Sequence, residues 1–194
     1  TNLSELSPDT KNFFRKLSGY DTLRLILCKK AILVEGDSDE LIVQKAYSLN
    51  NQGRLPIEDG VDVITVGTSF LRFLEIADKI AKNVVVVTDN DGDIEALKKK
   101  YKNYLDDNSK ENIKICFDEE TDTGTLEGFN YNTLEPKLLK ANDLAALNKV
   151  FDKSYDSEDD LLKHMKSKKT ACAIKIFDTS EKITFPNYLS LIHI

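Results

Sequence analysis

Val84-Val85-Val86-Val87-Thr88-Asp89-Asn90-Asp91-Gly92-Asp93 is the stretch on which the fold turns. Four consecutive β-branched residues that run straight into a polar, glycine-bearing turn predict a strand buried on both faces. The same pattern stands upstream, where Ala31-Ile32-Leu33-Val34 ends in Glu35-Gly36-Asp37-Ser38-Asp39. Between them lies a full strand–helix cycle. A helix is expected from Ser38 or Asp39 to about Asn50, a strand over 61–66, a turn at Gly67-Thr68-Ser69 and an amphipathic helix over 70–81. After the acidic turn a lysine-rich helix is expected over about 94–105, then a fourth strand over 113–117.

Strands alternating with helices of this length imply parallel pairing through right-handed crossovers. The expected fold is α/β, with about four parallel strands flanked by helices. Residues 1–29 form an N-terminal helical segment and 30–120 the α/β core. Residues 121–194 form a helical extension that completes the domain, with helices near 134–153, 158–166 and 169–180 and an acidic linker over 152–160. In the N-terminal segment Phe13, Phe14 and Leu17 recur at helical spacing, Gly19 interrupts, and Asp21 can cap a second helix.

Composition narrows the function classes. With 194 residues, 41% hydrophobic and 31% charged, the chain has the balance of a soluble globular protein, expected in the cytoplasm. It has no apolar run long enough for a bilayer and no signal-peptide stretch. The first residue is Thr1 rather than Met, so a piece of a longer protein is expected. Cys28, Cys116 and Cys172 are too scattered for a disulfide framework or a zinc knuckle and read as reduced residues. Two histidines, His164 and His193, argue against chemistry that needs several imidazole ligands. The net charge of −6 is unlike that of a duplex-binding module that works by electrostatics alone, unless bound cations invert the local field.

Open α/β sheets bind ligands beyond the carboxyl ends of their strands. Glu35 and Asp89 both follow apolar strands there, so neighbouring strands would bring their carboxylates together. Asp91, two residues on, can aim at the same point, and Asp93 and Asp39 are near enough in sequence to join. Clustered carboxylates repel and lose solvation, a penalty that a hard divalent cation removes. Acids at strand ends also serve as helix caps, and Asp39 suits that role. The combination of two such loops points to metal. Other metal and phosphate motifs fail: an EF-hand starting at Asp89 would need Gly and Glu where Ile94 and Lys100 stand, and no P-loop is present.

At these residues the sequence resembles the Toprim domain, whose hallmarks are a glutamate after the first strand and an Asp-x-Asp after a later one. Tyr20-Asp21-Thr22-Leu23-Arg24, Ile32 to Glu40 and Thr88 to Asp93 look like the overcoming-lysogenization-defect (OLD) nucleases, and the Gabija anti-phage nuclease subunit is similar in layout. The resemblance runs over roughly 20–180. It implies a Rossmann-like Toprim fold and a metal-dependent endonuclease acting on DNA, a phage-defence role, and an ABC-type ATPase half outside this chain. It also implies two metal ions, Mg²⁺ with Mn²⁺ or Ca²⁺ as alternatives. Glu35, Asp89 and Asp91 match metal ligands, Asp39 a further acidic position, and Asp93 the extended Asp-x-Asp-x-Asp form. A downstream Thr-Leu-Glu acid has two candidates, Glu127 and Glu135, of which Glu135 is preferred because Pro136-Lys137-Leu138-Leu139 continues the family's helical pattern. Lys169, in Lys169-Thr170-Ala171-Cys172-Ala173, matches a catalytic lysine, although Lys166, Lys168 and Lys169 also read as a solvated cluster. Glu35 is a ligand or a general acid–base. Lys98, Lys99 and Lys100 read as a solvated helix face or a phosphate contact. No tyrosine is placed as a covalent nucleophile, so cleavage is expected to be hydrolytic.

Two alternatives stand beside this. Asp89-Asn90-Asp91-Gly92 also resembles the signature of haloacid-dehalogenase phosphatases, with Asp89 as nucleophile and Asp91 as acid–base. Asp93 replaces that family's threonine. The other is a non-catalytic metal-binding module, homodimeric through its two N-terminal helices.

Overall fold

The computed structural model describes residues 5–16 and 19–190. Leu17 and His193 lie outside them. Four parallel strands, β1 (Lys30–Val34), β2 (Val61–Thr65), β3 (Asn83–Val87) and β4 (Ile113–Cys116), form one sheet in the order β2-β1-β3-β4. The chain enters through helices α1 (Pro8–Lys16) and α2 (Tyr20–Leu27). Helices α3 (Asp37–Asn50), α4 (Phe70–Lys79) and α5 (Ile94–Lys100) make the crossovers. Beyond β4 come α6 (Leu134–Ala141), α7 (Leu144–Phe151), α8 (Glu158–Ser167), α9 (Lys169–Asp178) and the short α10 (Asn187–Ser190). No described helix is long and apolar enough to cross a membrane.

The strands alternate side chains between two cores. Ile32, Val34, Val85 and Val87 face a core shared with α3 and α6–α10. Ala31, Leu33, Val84 and Val86 face a second core closed by α2, α4 and α5. This double burial is why the central strands read as unbroken apolar runs. On the first face α3 packs along α9, and Lys45 on α3 donates to the carbonyls of Phe177 and Thr179 at 2.8 Å, a cation capping the end of α9. On the outer side, Arg24 on α2 reaches Asp62 of β2 at 2.7 Å and the Val63 carbonyl at 2.7 Å, which fastens the N-terminal segment to the sheet. Tyr20, Leu23 and Leu27 of α2 remain exposed.

Two expected helices end early. The one expected over 94–105 stops at Lys100, because the fully buried Tyr101 packs edge-on to Phe70 and turns the chain toward a 3₁₀ turn at Asp106–Asn108. The one expected over 134–153 is two helices. Asn142 leaves the helical conformation and its side chain donates to the Leu138 carbonyl at 2.7 Å, while Asp143 caps α7 by accepting from the Ala146 N–H at 2.6 Å. The acidic linker is shorter than expected, since Ser157 caps α8 from Glu158 onward. Pro136 is accommodated in the first turn of α6, where no intrahelical N–H is lost.

The loop after β3 is held in an unusual backbone. Asp91 and Gly92 both adopt left-handed conformations, φ +51° and +83°. A Cβ at Gly92 would sit 3.1 Å from Asn132 Nδ2. Gly92→Ala is therefore expected to destabilise the protein by about 1–2 kcal/mol, read as a lowered urea midpoint.

Candidate metal centre

The carboxyl ends of β1 and β3 are adjacent, because Leu33 pairs with Val86 across the centre of the sheet. Glu35, one residue past the end of β1, and Asp89, two past the end of β3, thereby come to one edge of the sheet and line the same cavity although 54 positions separate them in sequence. Together with Asp39, Thr88, Leu134 and Tyr188 they line one small cavity. The start of α3 supplies Asp39, whose Oδ2 accepts from the Gly36 N–H at 2.9 Å, so this residue closes the first turn of its helix from inside rather than serving as N-cap. The start of α6 supplies Glu135, which is buried, with Thr133 Oγ1 donating to Oε2 at 3.2 Å. The start of α9 supplies Lys169, whose Nζ lies 3.1 Å from Glu135 Oε1.

Electrostatics bind these residues into one system. Burial pushes the Asp39 carboxyl up to about 6, against the pull of the Gly36 N–H and with a further push from Glu135. Asp89 is driven well above the usual carboxylate range, first by burial and then by Asp39, Glu135 and Asp91. Burial lowers the Lys169 ammonium, and Glu135, Asp89 and Asp39 more than restore it. A cation in the first turn of a helix opposes the helix dipole. Lys169 occupies that position because the acids face it. Burial also raises the hydroxyl of Tyr188 strongly, with Asp89 and Asp39 adding to the effect, so that hydroxyl stays protonated.

The acids do not share one point. Among the described residues no three Asp, Glu, His or Cys side chains stand close enough to close around an ion. The physical reason is visible in their partners: Asp39 holds the Gly36 N–H, Glu135 holds Lys169, and Asp91 accepts from Asn130 Nδ2 at 3.0 Å. Asp93 turns away as the N-cap of α5, accepting from the Ala96 N–H at 2.8 Å. Glu127 is exposed, whereas the fields at Asp39, Asp89 and Lys169 all contain Glu135, so Glu135 is the acid that the fold brings to the cluster. Lys98, Lys99 and Lys100 are exposed, with Lys100 lying over the Phe70 and Tyr101 rings.

Four residues at this centre carried no signal in the sequence. Asn90 is buried and donates to the carbonyls of Asp118 and Glu120 at 2.6 and 3.0 Å, while its Oδ1 accepts from the Gly92 N–H at 2.9 Å. Asn130 reaches Asp91. Lys137 is buried and bonds Asp118, Asp122 and the Glu120 carbonyl. Tyr188 arrives from a helix only four residues long.

Residues 26–91 match the family model for the overcoming lysogenization defect protein-like TOPRIM domain, a span that contains Glu35, Asp39, Asp89 and Asp91. Over that span the chain is similar to the OLD-like Toprim domain. Its fold is shared with solved C-terminal regions of OLD proteins. That from Burkholderia pseudomallei is 20% identical, with TM-score 0.60 over 84% of this chain and 93% of the other. That from Xanthomonas campestris pv. campestris is 17% identical, with TM-score 0.55 over 84% and 91%. No curated protein matches the sequence. The four-stranded parallel sheet flanked by helices agrees with those regions, as the sequence led one to expect. The matched span favours Toprim chemistry over the phosphatase alternative, because it includes the strand-end glutamate that the phosphatase signature does not need.

The donor set suits divalent ions. Glu35, Asp39, Asp89, Asp91 and Glu135 offer only hard oxygen donors, the kind that Mg²⁺, Mn²⁺ and Ca²⁺ take. Burial first, and then the neighbouring carboxylates, raise Asp39 and Asp89, and a bound cation would offset that penalty on their ionised forms.

Proposed function

We propose that this Toprim domain is a metal-dependent DNA endonuclease that hydrolyses phosphodiesters, working as the nuclease part of a protein that also has an ABC-type ATPase part. The observation that carries the proposal is the meeting of Glu35 and Asp89, from the loops after β1 and β3, in one cavity with Asp39, whose field, like that of Asp89, includes Glu135 and Lys169 from two later helices. Glu35, Asp39, Asp89, Asp91 and Glu135 would hold the ions, two in the family's pattern. Asp93 remains a structural cap in this reading. Bound divalent ions supply Lewis-acid chemistry, lowering the pKa of water and offsetting charge on the departing oxygen.

The chain's own residues do the rest. Lys169 brings a cation to a helix start where it can meet a phosphate oxygen as negative charge builds in the transition state. Lys169 now pairs with Glu135, and its ammonium would be available for that contact if Glu135 held an ion. Glu35 is exposed at the rim, able to accept a proton from water. No tyrosine is placed by the sequence as a covalent nucleophile, so strand transfer through a tyrosine is not expected and cleavage is not resealed. The net charge of −6 opposes DNA approach, and cations held by the acids would offset that charge at the site.

The test is cleavage of supercoiled plasmid by the purified chain with Mg²⁺ or Mn²⁺, against the same reaction in EDTA. Relaxed or linear product is expected only with metal, and Glu35→Ala is expected to lose at least about 100-fold of the rate. Wild-type rates in Glu35→Ala would overturn the proposal.

A further inference from the structure

Asp91 differs from the other acids of the cluster. It is exposed, it sits on a left-handed residue, and nothing buries it into one rotamer. Without a partner, a carboxylate in that situation would rotate freely, and ordering it on a ligand would cost entropy. Its recorded partner is a neutral carboxamide, Asn130 Nδ2 at 3.0 Å. Glu135 by contrast is paired with an ammonium. An amide donor fixes the direction of a carboxylate and leaves its charge intact, whereas a lysine cancels it.

Asn130 is itself fixed. Its Oδ1 accepts from the Asn132 N–H at 2.9 Å, which leaves Nδ2 as the group facing Asp91. Asn132 is buried and exchanges two bonds with Asp122: its Oδ1 accepts from the Asp122 N–H at 2.6 Å and its Nδ2 donates to the Asp122 carbonyl at 2.9 Å. Asp122 is tied to Lys137 on α6. The same 118–122 segment receives both bonds from Asn90, the residue just before Asp91. The loop that carries Asp91 is thus held at Asn90 by the Asp118 and Glu120 carbonyls and at Asp91 by Asn130, all outside the family-matched span.

We infer that Asn130 is a positioning residue for Asp91, orienting Oδ1 so that the remaining oxygen is presented to a divalent cation without loss of charge. The inference rests on the proposed function above and deepens it. Partners of this kind, one step out from a metal ligand, typically govern affinity about 10–100-fold.

Mn²⁺ titration calorimetry on the full chain, paired with the melting temperature and with plasmid cleavage across Mn²⁺ concentration, tests it. Asn130→Ala removes both side-chain bonds. Asn130→Ser keeps a hydroxyl able to accept from the Asn132 N–H but too short to reach Asp91. Both variants are expected to weaken Mn²⁺ binding by about 10-fold, with the melting temperature unchanged and cleavage recovered at saturating Mn²⁺. Wild-type binding in both variants overturns the inference. So does normal binding in Asn130→Ser with weak binding in Asn130→Ala, or a fall in melting temperature that tracks the loss of affinity. Asp91→Ala separates this from the parent proposal. Unchanged Mn²⁺ binding there overturns the ligand set, and the role of Asn130 with it. Weakened binding there, with wild-type behaviour in both Asn130 variants, overturns the role of Asn130 alone.

Discussion

Asp89→Asn is expected to abolish metal-dependent cleavage, by at least about 100-fold, while making the metal-free protein more stable. The two effects have one origin. Asp89 follows the most apolar strand of the sheet and is set among Asp39, Glu135 and Asp91, so its ionised form is penalised by burial and by repulsion. Its folded carboxyl, like that of Asp39, titrates above the ordinary value of 3.8. A group of that kind stabilises the fold fully below its unfolded pKa, and the contribution is lost as pH rises through the folded value. For Asp39 that window runs from 3.8 to about 6, and for Asp89 it begins at the same 3.8 and extends well above it. Metal-free stability should therefore decline across this range. Asp89→Asn carries no such charge and should flatten the decline. Mg²⁺ should restore wild-type stability near neutral pH and do much less for the variant. Melting curves from pH 4 to 8, with EDTA or with MgCl₂, read both effects. A variant that cleaves normally, or whose metal-free melting temperature falls at pH 7, would contradict the account.

Lys137→Met should have the largest effect on stability, about 3 kcal/mol, or roughly 6–12 °C in melting temperature for a chain of this size. The ammonium is buried, with Asp118 Oδ2 and Asp122 Oδ2 each 2.7 Å away and the Glu120 carbonyl at 2.9 Å. Removing it leaves two carboxylates facing one another, and Lys140, which bonds Asp122 at 2.7 Å from the exposed side, compensates only one of them. Adding Asp118→Asn and Asp122→Asn to Lys137→Met should recover most of the loss, because the cost lies mainly in stranded charge rather than in the missing contact. The pH dependence here runs opposite to that of Asp89. Burial tends to raise Asp122, but Lys137 and Lys140 hold its carboxyl below the ordinary value. This contribution is present above that value and lost on acidification through the depressed one. Failure of the triple variant to recover would show that Lys137 acts by packing instead.

What the sequence alone determined is what depends on local pattern. The apolar runs at 31–34 and 84–87 specified buried parallel strands, because a strand covered on both faces leaves no room for polar alternation. The acids that end those runs marked the ligand edge, and Gly92 marked a backbone that only glycine adopts without strain. Glu35, Asp39, Asp89 and Asp91 were legible for that reason. The tertiary structure decided matters that hang on distant segments meeting. It made β1 and β3 neighbours, and it brought Glu135 rather than Glu127 to the acids. It gave Asp93 to a helix cap, split the helix expected over 134–153, and set Asn130 and Lys137 behind the Asp91 loop. A helix cap, an amide donor or a buried ammonium is chosen by which carbonyl or carboxylate arrives beside it, and periodicity along one segment carries no information about that arrival.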